Sequence, residues 1–112
     1  GVFKYSREEN TPAYNIKPQV SKKVMNKRYN EIMTVQKIIS KNKNERLIGT
    51  ITRMLVESYD KERNLYLGRC WKDAPFVDGL IKLEANNCKM GEFYNVRITN
   101  AFPYDLSAKV II

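Results

Sequence analysis

The chain has 112 residues, 43% of them hydrophobic and 29% charged, which leaves room for one compact domain with an appendage and excludes a disordered segment. No run approaches the roughly 20 apolar residues of a bilayer-spanning helix, and nothing at the start reads as a signal peptide, so no membrane partner is expected and a cytoplasmic location is. The formal charge is +8, but ten Lys/Arg oppose four Asp/Glu over residues 1–45 and ten oppose eight over 46–112, leaving +6 and +2. A nucleic-acid reading from charge alone is therefore weak, because most of the excess lies on Lys22, Lys23, Lys27, Arg28, Lys37, Lys41 and Lys43, a pattern that suits a solvated helix face.

There is no His, and the two cysteines, Cys70 and Cys88, stand with seventeen residues between them. Neither a zinc pattern nor a cluster-binding motif can be assembled from them, and both read as reduced, core-filling thiols. The chain begins on Gly and finishes on Val110-Ile111-Ile112, which reads as an excised piece of a longer protein.

In chain order, Gly1-Val2-Phe3-Lys4-Tyr5 alternates like a short strand, and Ser6 to Asn15 follows as a polar loop broken at Thr11-Pro12. Pro18 marks a second break. Ser21 is a candidate N-cap for a helix running to about Asn44. Met25, Tyr29, Ile32, Gln36 and Ile39 form one stripe of a 3.6-residue repeat. A helix so long with so narrow a stripe needs a neighbour, either residues 1–15 or another molecule.

From Arg46 the period changes to that of strands, expected at 47–59, 65–71, 79–83, 93–101 and 104–110. Alternation fails at Met54-Leu55-Val56, which predicts a bulge or burial on both faces. A charged turn spans 60–64, and Gly91 and Pro103 punctuate the later joins. The fold class expected is mostly β: a small five-stranded antiparallel OB-like barrel preceded by a long α-helix.

Two segments carry a resemblance. Tyr5-Ser6-Arg7-Glu8-Glu9-Asn10-Thr11-Pro12-Ala13 resembles the YSxEEGTxA segment closing the catalytic barrel of radical-SAM methylthiotransferases of the RimO type. Gly68-Arg69-Cys70-Trp71-Lys72-Asp73-Ala74-Pro75-Phe76-Val77-Asp78-Gly79 resembles the GRxxxDAPEVDG segment of their TRAM module. Arg28, Gln36, Ile39 and Ser40 match that family's connecting helix, and Tyr104-Asp105-Leu106 its late YDL element. The sister MiaB-type tRNA methylthiotransferases share the architecture but lack the DAPxVDG run, so Glu8, Asp73-Ala74-Pro75 and Asp78-Gly79 favour the RimO type. Asn10 stands where the family has Gly, and Asn tolerates left-handed angles. Phe76 replaces a customary acidic residue, and Ala108-Lys109 a customary Gly-Glu.

The resemblance implies three parts: residues 1–20 as the tail of a radical-SAM barrel, with a remnant strand, 21–45 as a connecting helix and 46–112 as a TRAM domain. It further implies a parent enzyme that uses S-adenosylmethionine and two 4Fe–4S clusters, held upstream of Gly1, to methylthiolate an aspartate of small-subunit ribosomal protein twelve. The piece itself is then not catalytic and carries no metal. The alternatives are the TRAM part of a MiaB-like tRNA enzyme and a stand-alone RNA-binding TRAM module, which would need no segment like residues 5–13.

Candidate substrate-binding residues follow. Arg69, Trp71, Lys72 and Arg97 form either a basic patch with an aromatic platform, as single-stranded RNA binding uses, or a surface whose Trp71 plugs one barrel end, the favoured reading. Asp73 and Asp78 read first as turn-forming carboxylates and second as an acidic spot for a basic ribosomal protein. Tyr104 joins this set through the YDL element. Tyr5, Ser6, Glu8 and Thr11 are candidates for an active-site mouth, since they follow a strand whose C-terminal end would face it, with a simple turn as the equal alternative. The expected partner is the ribosomal protein, with RNA second and self-association through the helix stripe third.

Overall fold

The computed structural model describes residues 1–112. They fall into two compact units, 1–38 and 39–112. Helix α1, Lys22–Glu45, runs through the boundary. Ser21 caps it: its hydroxyl accepts from the Val24 N–H at 3.3 Å, and its carbonyl accepts the first helical bond from Met25 at 2.9 Å.

In the first unit a single 3-10 turn covers Pro12–Asn15. The expected strand at residues 1–5 is absent. A strand exists through its partners, and no neighbouring strand lies beside this segment to accept its backbone bonds. It lies against the helix instead, with the Lys4 ammonium 5.0 Å from the Tyr29 ring centre. Val2, Phe3, Tyr5, Ile16, Met25, Tyr29 and Ile32 share an apolar pocket there. Met25, Tyr29 and Gln36 are sheltered as expected, but Ile32 and Ile39 stay 50% and 49% exposed. The sheltered line runs instead through Met33, Ser40 and Asn44, mostly at i, i+4 steps, which wind slowly round the helix rather than keeping to the straight 3.6-residue stripe.

In the second unit, β1 (Ile51–Asp60), β2 (Leu65–Cys70), β3 (Ile81–Glu84), β4 (Phe93–Ala101) and β5 (Leu106–Val110) close a barrel in the order β1-β2-β3-β5-β4. Four seams are antiparallel, but β3 and β5 run parallel. This corrects the all-antiparallel expectation, and the reason is parity: around a closed ring of five strands, directions cannot alternate throughout. Closure leaves no open edge.

Met54, Val56, Ile81, Leu83, Val96, Ile98 and Leu106 fill the interior. The irregularity of β1 is a bulge at Glu57, since Val56 pairs with Gly68 and Ser58 with Leu67. Gly68 is required at that crossing, where an added Cβ would stand 1.9 Å from the Leu55 carbonyl oxygen. In the turn that follows, the Asp60 carboxylate accepts the Glu62 and Arg63 N–H groups at 3.0 and 3.1 Å and the Arg63 guanidinium at 2.8 Å. Arg63 is also the main cause of the lowered pKa of Asp60.

Candidate functional site

Within the second unit, the barrel end beside Ser40 and Asn44 is built from the β2–β3 and β4–β5 loops. Leaving β2, the chain turns at Cys70–Asp73, where the Asp73 N–H donates to the Cys70 carbonyl at 3.1 Å. The Asp73 side chain is 3% exposed. Its Oδ2 accepts the Cys70 N–H at 3.2 Å and thiol at 3.3 Å, and its Oδ1 accepts the Lys72 ammonium at 2.9 Å. Such a buried carboxylate is tolerable because every lone-pair direction in use meets a donor. Asp78 closes the next segment: its Oδ2 accepts the Ala74 N–H at 2.7 Å, while its own N–H donates to the Ala74 carbonyl at 3.3 Å. Both aspartates are turn-formers by these contacts. Only Asp78 remains on the surface.

The loop is then locked to its neighbour. A Cβ on Gly79 would fall 1.6 Å from the Tyr104 carbonyl oxygen, so only glycine permits the approach. Leu80 N–H donates to Asp105 Oδ1 at 3.1 Å, and Leu106 N–H to the Leu80 carbonyl at 3.0 Å. From the helix end, the Ser40 hydroxyl donates to the Pro103 carbonyl and buried Asn44 donates to the Phe102 carbonyl at 2.9 Å. From the sequence alone Gly79, Asp105 and Asn44 had no part in the site, although Gly79 and Asp105 lie within motifs that carry the resemblance.

Trp71 does not plug the barrel. It is 86% exposed, because inward-facing Cys70 precedes it and the interior is already filled by aliphatic side chains. Phe76 and Val77 are 107% and 80% exposed, and Phe76 takes a left-handed φ of 62°. Arg69 donates to Glu57 at 2.9 Å. The expected basic patch divides. Arg69, Trp71 and Lys72 adjoin one another at the end of β2. Arg97 lies on β4, beyond β1 in the ring, level with Ile51 and donating to the Gly49 carbonyl at 3.0 Å, whereas Arg69 is level with Leu55. On the β4 side the sequence reading missed Arg53, whose guanidinium stacks 4.4 Å from the Phe93 ring centre. Tyr104 is 42% exposed.

In the first unit, Ser6 donates to Glu8 Oε1 at 2.9 Å and Thr11 to the Glu8 carbonyl at 2.7 Å, a turn in which Asn10 takes the left-handed φ of 62° expected of it. Arg7 pins this turn by donating twice to the Tyr14 carbonyl, at 3.0 and 2.7 Å. Tyr5, Ser6, Glu8 and Thr11 are all exposed. They are brought together as a turn, and Tyr5 faces the apolar pocket on α1.

Iron–sulfur clusters do not fit these residues. Burial pushes the Cys70 thiol above its ordinary pKa, with Asp73 adding to the effect, and burial does the same for Cys88. Cys70 is also engaged by Asp73, and no three His, Cys, Asp or Glu side chains gather as a ligand set. No helix is long and apolar enough to cross a membrane.

Residues 48–111 match the TRAM domain family. Over 112 aligned residues, 99% of the chain, it is 45% identical to the ribosomal protein uS12 methylthiotransferase RimO of Acetivibrio thermocellus, 42% to that of Geobacter sulfurreducens and 44% to that of Carboxydothermus hydrogenoformans. The chain spans about a quarter of the length of these relatives, 25%, 25% and 26% respectively.

Proposed function

The chain belongs to the TRAM domain family, and from that premise we propose that it is the substrate-recognition part of a RimO-like methylthiotransferase acting on ribosomal protein uS12 in the cytoplasm. The observation that carries this reading is the reach of the similarity. It extends over 99% of the chain, so residues 1–47, outside the TRAM match, take part. A stand-alone RNA-binding barrel gives no reason for that stretch to resemble an enzyme. The parent's reaction, on this reading, adds a methylthio group to an aspartate β-carbon, with S-adenosylmethionine and 4Fe–4S clusters supplying the radical and sulfur chemistry from residues outside this chain. The part played by the present residues is binding and orientation: a closed barrel presents a rigid loop end, and rigid presentation limits the entropy lost when a substrate docks.

The test is functional. The parent gene is expressed in a bacterium lacking its own enzyme of this kind, and intact uS12 is weighed by mass spectrometry. Gain of one methylthio group on uS12 is expected. Unmodified uS12 together with methylthiolated tRNA would overturn the reading in favour of the tRNA-modifying branch.

A further inference from the structure

Three strongly exposed apolar side chains, Trp71, Phe76 and Val77, lie within seven residues of the β2–β3 loop. A connecting loop gains nothing from exposing them, and apolar side chains concentrated on one exposed loop mark an interaction site. The loop is not floppy: Asp73, the Ala74–Asp78 pair of bonds and the Gly79–Tyr104 contact hold it at both ends. Phe76 is held at a positive φ that an aromatic residue disfavours, the kind of local strain that surrounding contacts must sustain. Behind the tip, a groove of about 580 Å³ runs between the loop and the β1–β2 surface, lined by Glu57, Leu67, Arg69, Pro75, Phe76 and Leu80 among others.

Charge decides what such a surface suits. Arg69 is neutralised by Glu57, and Lys72 by Asp73, each at 2.9 Å. With Asp78 added, two cations face three carboxylates around the tip, a net of −1. Nucleic acid binding needs cations free to displace counterions from phosphates. An aromatic tip with an acidic margin instead suits a polypeptide that presents an apolar side chain beside Lys or Arg. The geometry points to Trp71, Phe76 and Val77 as the contact surface for a cationic, apolar segment of the protein substrate, a step that rests on the reading of this chain as part of a uS12-modifying enzyme.

Trp71 is the only tryptophan, so its fluorescence reads the tip directly. The 112-residue chain is titrated at ~150 mM salt with dye-labelled uS12, binding being followed independently by the dye's anisotropy, and in parallel with a single-stranded RNA. We expect uS12 to shift Trp71 emission to the blue and shield it from acrylamide. The double variant Phe76→Asp, Val77→Asp should weaken binding at least about thirtyfold, the fold-change of one hot-spot side chain, while its melting temperature does not fall, since both side chains are exposed and Asp tolerates the left-handed angle at position 76. Binding with Trp71 still quenchable, or with the double variant unaffected, overturns the inference and leaves the proposed function standing. Shielding by RNA but not by uS12 assigns the tip to nucleic acid and overturns it as well. Absence of uS12 binding by either readout also overturns it, and the mass measurement on uS12 then reports separately whether the proposed function survives.

Discussion

Replacing Gly79 by Ala tests the lock between the two loops. The new methyl carbon would lie 1.6 Å from the Tyr104 carbonyl oxygen, 2.6 Å from its carbon and 3.3 Å from Asp105 Oδ1. Carbon and oxygen in contact sit about 3.3–3.6 Å apart, so the loops must separate by roughly 1.5–2 Å. The obstacle is backbone, which has no rotamer to swing away. A separation of that size stretches the Leu80–Asp105 bond at 3.1 Å and the Leu106–Leu80 bond at 3.0 Å beyond useful length. Losing one bond to a carboxylate and one between backbone groups costs about 2–4 kcal/mol, and forced overpacking adds about 1–3 kcal/mol. A loss near 4 kcal/mol lowers the melting temperature of a domain this size by about 15 °C or more. Thermal unfolding followed by circular dichroism measures it, with Gly91→Ala as control. Gly91 has φ of 84° and open space around its missing Cβ, so only the left-handed cost of about 1 kcal/mol applies there. If Gly79→Ala is no more destabilising than Gly91→Ala, the lock is not what holds this end together.

Phe76→Asn relieves the left-handed strain and should raise stability by about 0.5–1 kcal/mol, part of the roughly 1–2 kcal/mol that the angle costs an ordinary residue, visible as a higher denaturant midpoint; a lower midpoint would show that the exposed ring packs on something. Asp73→Ala strips the Cys70 N–H, its thiol and the Lys72 ammonium of their acceptor, and should cost about 3 kcal/mol, with Asp73→Asn recovering part of it in the same melts. Asn44→Ala removes the donor to the Phe102 carbonyl and should cost about 1–3 kcal/mol while speeding amide exchange at Phe102 and Leu106. The raised Cys70 pKa has a definite sign. Below its ordinary value of 9.0 the thiol is protonated in both folded and unfolded chains, so its contribution is intact; as pH climbs past 9.0 toward the raised folded value, only the unfolded chain loses the proton and stability falls. A Cys70→Ala variant should lose that part of the alkaline slope, and iodoacetamide should label Cys70 only as fast as the barrel opens.

Local rules carried what local residues decide. The change of period at Arg46 separates helix from barrel; Ser21 caps the helix, and Asn10 adopts the left-handed turn, because each depends on residues within four positions. Strand β4 runs from Phe93 to Ala101 as its alternation predicts. What failed depends on closure or on distance. The fate of Trp71 turned on whether the interior had room, and seven aliphatic side chains had already filled it. The expected patch joining Arg69 to Arg97 required them to share a surface, yet β1 intervenes in the ring. The parallel seam between β3 and β5 is a property of the ring's odd strand number, which no single segment displays.

The two motifs that seemed independent in the sequence are one structure. The Asp78-Gly79 pair ends a loop whose next residue, Leu80, bonds to the Asp105 of the YDL element, and Gly79 is bare because the carbonyl of Tyr104 occupies the space of its side chain. The same β4–β5 loop is gripped from the other side by Ser40 and Asn44 at the end of the helix. A continuous path of hydrogen bonds and one steric contact thus runs from the helix end, through Phe102 to Leu106, to the base of the loop that presents Trp71, Phe76 and Val77. Each link is short and ends on backbone on at least one side, so it leaves few torsions free to absorb a displacement. The direction in which the apolar tip points is therefore fixed by residues that never touch its ligand, which is what a binding surface on a loop needs to behave as though it were part of the barrel.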